Sequence, residues 1–448
     1  MKRVSTYIYI AIVTLSVAAF CIVFNIFPRS TKSELEGREL KSFPKFSWEE
    51  LWSGKFMSEI SSWYSDSEPY RDNFMTLSME VDKAKKLNIA SKGDDEVTFI
   101  AGNDEGESSD AATPALPAAD ITNITEAQAD SLKMTLEDKA KITNSGIVIV
   151  GSQPNVRALM AYKGKPNCCN TFANMANKYS QSFGEGVQIY CMIIPTAVEF
   201  YCPEKAKSKM KSQIETINEA YSKLDSTVIA VDVYNPLCNH RHEDIYLRTD
   251  HHWSPRGAYY AAKALAEAAG VPFKDLSSYD ELSISGYVGS MYRYSKDISV
   301  KKSPEKFVYY KPRDIEYSTT YINYAIDEEY NVTAESGPVK GDFFVTFKNP
   351  AYAYCTFMGS DTKITQVRTA TKNNRRLIII KDSFGNAIPG YLFYSFEEIH
   401  VIDTRYFTKN IIKYAKKHQI TDLVLTNNIA FASSYTTLAS YSRFLTQR

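Results

Sequence analysis

The sequence predicts an α/β fold: a mostly parallel sheet with helices on both faces, carrying a β-rich insertion and preceded by a transmembrane helix. Three patterns lead there. Short apolar runs of strand length, at 187–194, 228–234, 377–380, 399–403 and 422–426, alternate with longer runs at helical spacing, at 171–182, 204–223, 257–269 and 409–418. Such alternation marks strands joined in parallel through crossover helices. Residues 283–373 break the rhythm: they are rich in Tyr, Thr, Phe and Val, with Gly286, Gly289, Gly337 and Gly341 as turn points, which reads as an inserted β-rich subdomain or lid. Finally, the basic Met1-Lys2-Arg3 precedes an uncharged run from Tyr7 to Phe27, and one membrane crossing takes about 20 residues.

At the N-terminus, the basic side is expected to stay in the cytoplasm, which puts the rest of the chain outside. A cleaved signal peptide is the competing reading, but the apolar run is long and no small-x-small site follows it. The anchor is therefore assigned to 1–28 and a helical stem to 29–90. In the stem, 48–64 and 72–87 are apolar at helical spacing and Pro69 separates them. Residues 91–130 are rich in Asp, Glu, Ala, Ser and Gly, include Pro114 and Pro117, and have almost no aromatics, the composition of a low-complexity linker. The main domain is placed at 140–448, opening with a hairpin from 147–150 and 158–162.

A formal net charge of zero argues against nucleic acid or another polyanion as an obligatory partner. The 31 tyrosines could line a sugar cleft or simply fill the core. Seven cysteines include no Cys-x-x-Cys pair, and Cys168 and Cys169 are adjacent, so free thiols are expected for most of them, among them Cys191 in an apolar strand. Neither a glycine-rich phosphate loop nor a His-Glu-x-x-His run occurs. No cofactor and no metal is expected.

Chemistry concentrates in two stretches. Asp250, His251, His252 and Trp253 stand just before Ser254, which suits a helix N-cap, and Pro255, which suits the first helical position. An acid beside an imidazole is what a nucleophilic acyl-transfer enzyme needs: the imidazole takes the serine proton and the carboxylate holds its tautomer. A polar loop with surface or metal-binding histidines, His240 and His242 included, is the competing reading. The second stretch places Ser383 directly after the apolar run 377–380, in a turn with Gly385. A serine there has its hydroxyl at the carboxyl edge of the sheet, with its own and the following N–H groups able to hold an oxyanion; alternatively it caps an ordinary turn. Carboxyl ends of parallel strands converge on one crevice, so residues far apart in sequence can meet. Neighbouring side chains cannot both reach one serine, so either His251 or His252 is the base. Arg405 follows the strand at 399–403 and either binds an acyl or sugar oxygen or pairs with Asp403 or Asp382. Asn386 reads as a turn residue.

Arg248-Thr249-Asp250-His251-His252-Trp253 resembles the signature of the DHHW family of exported bacterial proteins. That family is similar to the alginate O-acetyltransferases, which carry Asp-x-His-Trp and, much later, a serine block. Asp250, His252 and Trp253 match the first motif and Ser383 the serine. The order Asp, His, Ser is inverted relative to ordinary SGNH hydrolases. The resemblance runs through Gly37-Arg38-Glu39-Leu40, Ile194-Pro195-Thr196, Gly289-Ser290-Met291-Tyr292 and 423–428. It implies an SGNH-hydrolase-like domain in which Ser383 is the nucleophile, His252 the base and then the acid, and Asp250 its orienting partner. His251 would support the loop. Asn427 and Asn428 stand where SGNH proteins carry an Asn oxyanion donor, although this chain has Thr-Asn-Asn there. With Arg405, Trp253 and His251 they complete the expected oxyanion or substrate-binding set.

The activity implied is extracytoplasmic transfer of an acyl group, most simply acetyl, to a hydroxyl of a cell-surface or exopolysaccharide. A membrane-bound acyltransferase would supply the donor. The same acyl-enzyme with water as acceptor is a carbohydrate acetylesterase. A catalytically inactive glycan-binding or assembly scaffold is the reading from a different class.

Overall fold

The computed structural model describes residues 12–78 and 140–447, apart from 20, 23, 24, 34–37, 143–145, 328 and 360. The chain forms two units: residues 1–96 with 296–298, and the remainder. In the first, strands β1 (Lys32–Ser33) and β2 (Arg38–Glu39) pair antiparallel. Helices Trp48–Trp52 and Lys55–Asp66 follow. They are separate because Gly54 sits at φ 77°, a left-handed conformation that interrupts the helix expected at 48–64. Another helix occupies 71–78. Among the described residues no helix is long and apolar enough to cross a membrane. Residues 12–19 are helical, but 1–11, 20, 23 and 24, which belong to the expected anchor, lie outside the described residues, as does the expected linker at 91–130.

The second unit opens with a small antiparallel sheet of β3 (Ala140–Ile142), β4 (Ile147–Val150) and β5 (Arg157–Met160). Helix Asn170–Phe183 leads to β6 (Gln188–Ile194). The run expected as one helix at 204–223 is two, Glu204–Lys207 and Gln213–Tyr221, because Ser212 restarts it by accepting from the Glu215 N–H. Strand β7 (Val228–Ala230) is shorter than expected and gives way to helix Tyr234–Asn239. Helix Pro255–Ala268 is capped by Ser254, whose side chain accepts from the Gly257 N–H.

Beyond it come β8 (Tyr279–Tyr287), β9 (Glu305–Pro312), β10 (Tyr317–Ile326), β11 (Val332–Gly341), β12 (Lys363–Thr369), β13 (Arg376–Lys381), β14 (Glu398–Asp403) and β15 (Asp422–Asn428). The large sheet has eight strands in the order β11-β10-β12-β14-β13-β15-β6-β7. Strands β14, β13, β15, β6 and β7 are parallel neighbours. Strands β12, β10 and β11 add antiparallel. The sheet is thus mixed, with the parallel pairings in the majority as expected and the antiparallel ones confined to the side of the insertion. One expectation is corrected, because the insertion is not a separate subdomain: three of its strands extend the main sheet across β14, while β8 and β9 form a two-stranded sheet. The physical reason is that β14 would otherwise end the parallel sheet with an unpaired ladder, which β12 satisfies in register from Ile364 opposite Ile402 to Arg368 opposite Glu398. Every residue of β14 and β15 is buried, as are Leu377–Lys381 of β13. Strands buried along their whole length are covered on both faces. Each apolar side chain so buried stabilises the fold by about 1.5–3 kcal/mol.

Candidate active site

Strand β13 ends in Lys381, and the chain turns sharply through Asp382, Ser383 and Gly385. Asp382 caps the turn, accepting from the Phe384 N–H at 2.8 Å. Gly385 is required because a Cβ there would lie 2.4 Å from the Lys381 Cβ, so only glycine lets the turn fold back over the strand end. The other oxygen of Asp382 is held by the Asn428 N–H at 2.7 Å, the Asn428 amide at 2.9 Å and the Asn427 amide at 3.3 Å. The serine turn is thereby tied to the end of the adjacent strand β15. Burial pushes the Asp382 carboxyl above its usual range, against the lowering effect of these N–H donors.

Facing it is the loop before helix Pro255–Ala268. A bridge between Tyr246 and Trp253 closes this loop, and three other segments grip it. Ala158 of β5 donates to the Arg248 carbonyl at 2.9 Å. Glu305 at the start of β9 accepts from the N–H groups of Arg248 and Thr249 and from the Thr249 hydroxyl, at 2.6–2.9 Å. Finally, the Gly289 N–H donates to Thr249 Oγ1 and the Ser290 N–H to Asp250 Oδ2, at 3.1 and 2.7 Å.

These supports bring Asp250, His252 and Ser383 into one chain of contacts. Asp250 Oδ1 is 2.5 Å from His252 Nδ1, and His252 Nε2 is 2.7 Å from Ser383 Oγ, across 131 residues of sequence. Burial pushes the Asp250 carboxyl up. The neighbouring His252, then His251, and the Ser290 N–H outweigh that and hold it well below the usual carboxylate range. An ionised Asp250 accepts a hydrogen bond from the His252 Nδ1–H, which leaves Nε2 to accept from the serine hydroxyl. The imidazole is further fixed by Tyr354, whose hydroxyl donates to the Ser383 and Phe384 carbonyls at 3.1 and 3.2 Å.

His251 points elsewhere. Its Nδ1 is 2.6 Å from Ser290 Oγ, and burial, followed by repulsion from His252, pushes it down to about 3. The other expected site residues are engaged within the fold. Trp253 is fully buried and donates its indole N–H to the Phe384 carbonyl at 2.9 Å, so it holds the serine turn from beneath. Asn427 lies between Asp382 and the Tyr441 hydroxyl. Asn428 uses its amide on Asp382 and its oxygen on the N–H groups of Ala430 and Phe431. Arg405 grips both oxygens of Asp403, at 2.7 and 2.8 Å, and reaches Asp361, which is the ion-pair reading of that residue. Asn386 donates to Asp361. His240 lies on Glu243 and stacks on Tyr260.

Five contributors escaped the reading of the sequence as parts of this site. Glu305 and Asp382 carried no motif. Gly289 and Ser290 lay inside a stretch noted only for resemblance. Tyr354 was one tyrosine among 31.

Comparison with known proteins agrees with the motif. The family model of the DHHW protein matches residues 126–402. A DHHW family protein from Eubacterium siraeum, known from its crystal structure, is 36% identical, covering 69% of this chain and 99% of its own, with a TM-score of 0.62. PatB1 of Bacillus cereus, solved with a sulfonyl adduct, is similar in fold at 20% identity, covering 65% of this chain and 97% of its own, with a TM-score of 0.50. The O-acetyltransferase domain of AlgJ from Pseudomonas putida matches at 13% identity over 70% of this chain and 100% of its own, with a TM-score of 0.37. No curated protein matches. The tetrapeptide Asp250-His251-His252-Trp253 is the family's own label, and with the family model spanning more than half of its length the chain belongs to the DHHW family.

Proposed function

We propose that this protein transfers an acyl group, acetyl in the simplest case, to a hydroxyl of a cell-surface polysaccharide through an acyl-enzyme on Ser383. The observation that carries the reading is the continuous contact from Asp250 through His252 to Ser383 Oγ, at 2.5 and 2.7 Å. Ser383 Oγ attacks the acyl carbonyl as its proton passes to His252 Nε2. The leaving alcohol departs with that proton. A sugar hydroxyl then attacks the acyl-serine, gives its proton to Nε2, and the serine is restored. In the turn the Phe384 N–H is held by Asp382 Oδ1 and the Gly385 N–H by the Asp382 carbonyl, which leaves the N–H of Ser383 itself as the first candidate for the oxyanion. The sulfonyl adduct of PatB1 supports the reading by analogy, since sulfonyl reagents are captured by activated serines. The apolar N-terminal run would hold the domain on the outer face of the membrane, where a membrane-bound acyltransferase can hand over the acyl group.

The test incubates the purified protein with an acetyl-phenol donor, with and without oligosaccharide, and identifies products by mass. Acetylated sugar is expected. Free acetate alone would make the protein an esterase of the same chemistry. Tight sugar binding without turnover would make it a scaffold and overturn the proposal.

A further inference from the structure

The six histidines of the chain fall into three pairs. His251 and His252 belong to the candidate active site and His240 lies with His242 near Glu243. The third pair, His400 and His418, sits apart from both, together with Glu398. His400 is fully buried on β14 and places Nε2 2.9 Å from Glu398 Oε1. Its other nitrogen is 2.7 Å from the Tyr414 hydroxyl, which accepts in turn from the Gln366 amide at 2.9 Å. His418 closes the C-terminal end of helix Ile411–Lys417, half-buried, with its ring centroid 4.7 Å from that of His400. No hydrogen bond among the described residues engages the His418 ring. One ligand atom from each of Glu398, His400 and His418 lies within 4.8 Å of the others.

We propose that Glu398, His400 and His418 form a binding site for a divalent transition-metal ion of the zinc type, pinning the end of helix Ile411–Lys417 to strand β14. A donor set of two imidazoles and one carboxylate suits such an ion. Two imidazoles on one tetrahedral ion, bound at about 2.0–2.1 Å, bring their ring centres to roughly 5 Å, close to the spacing seen. The contact from Tyr414 to His400 Nδ1 is what a metal-bound histidine needs on its far nitrogen, where it fixes ring orientation and tautomer. A half-buried histidine whose ring makes no hydrogen bond among the described residues, beside a histidine–carboxylate pair, supplies the third lone pair. His418 and Tyr414 also line a cleft of about 720 Å³ with Gln366, Lys413 and Lys417, so an ion can enter and a fourth, exchangeable ligand has room. The lysines at that cleft oppose a cation and favour an anion as the fourth ligand. The site is independent of the acyl-transfer reading and stands or falls without it.

The full chain, stripped with chelator, is titrated with Zn²⁺ by calorimetry and with Co²⁺ by visible absorption. One ion per chain is expected, with the intense visible bands of four-coordinate Co²⁺ and a raised melting temperature. His418→Ala, at a half-exposed position, should keep the melting temperature of the stripped protein and lose measurable binding. Tyr414→Phe should bind about tenfold more weakly, as loss of an outer partner does. Absence of binding in the wild-type chain, binding that survives His418→Ala, or binding lost only in His252→Ala would each overturn the proposal.

Discussion

Tyr354 lies face to face on His252, with ring centroids 3.9 Å apart and planes 7° from parallel. The same tyrosine holds the carbonyls of Ser383 and Phe384 through its hydroxyl, so one side chain from the insertion sets both the imidazole and the serine turn.

Tyr354→Ala should therefore lower kcat more than it raises KM. A displacement of about 1 Å at the reacting groups can cost on the order of 100-fold. Tyr354→Phe keeps the stacked ring and loses only the hydroxyl, so its loss should be smaller. Steady-state kinetics of the two variants with an acetyl-phenol donor decide this. Equal activity in Tyr354→Ala and wild type would show that the stacked ring has no positioning role.

The triad itself makes a sharper prediction. Ser383→Ala, His252→Ala and Asp250→Asn should each lose on the order of 10⁴-fold in turnover, and Ser383→Ala/His252→Ala should be about as slow as the worse single variant. His251→Ala should lose far less, because its Nδ1 is on Ser290 and not on the serine nucleophile. Near-normal turnover in Ser383→Ala would end the acyl-serine mechanism. Loss in His251→Ala with retention in His252→Ala would move the base to the neighbouring ring.

Gly289→Ala should damage the site from behind. A Cβ at Gly289 would stand 2.3 Å from Asp250 Oδ2, so the carboxylate or the 289–290 backbone must move. Overpacking of this kind costs about 1–3 kcal/mol, read as a lowered denaturant midpoint. Activity should fall further than stability alone explains. A variant with wild-type midpoint and turnover would mean that the loop absorbs the methyl group.

Stability should fall on mild acidification, and His251 should carry part of it. Its ring is pushed down to about 3 in the folded protein, whereas an unfolded histidine titrates near about 6.5. Between these values the unfolded chain binds more protons, so stability is full above the unfolded value and declines as pH falls toward the folded one. Asp250, also held low, adds a second decline that begins only below about pH 4, the ordinary Asp value. Urea midpoints between pH 7 and 5 should therefore drop less in His251→Asn than in wild type. Identical slopes would show that His251 is not the group responsible.

Much of this was legible in the sequence, and what was not has a common cause. Ser254 and Pro255 announced the helix at Pro255–Ala268 because capping is a local matter of neighbouring residues. The strand leading to Ser383 was visible because an unbroken aliphatic run is itself the signature of a doubly covered strand. By contrast, pairing of β12 with β14 joins segments tens of residues apart, and nothing local in Lys363–Thr369 specifies its partner. Asn427 and Asn428 were expected to face the substrate by analogy of position. Their engagement with Asp382 depends on the side-by-side register of Lys381 and Thr426 in β13 and β15, which no linear pattern encodes. Tyr354 and Glu305 are single residues in a tyrosine-rich, charged background, and only the folded chain sets them apart.

Strand β11 bears on how the protein behaves in a crowd. It is one of the two outer strands of the large sheet, and almost all of its residues are exposed. A bare strand of that kind is a template on which a second molecule can continue the sheet. Here the template is spoiled at its middle: the register slips where Gly337 and Pro338 pass Tyr321 and Asn323, and a proline has no N–H to offer a newcomer. Glu335 and Lys340 add charge on either side. The insertion that completes the sheet thus also terminates it at this edge, disfavouring strand-by-strand association there at high concentration.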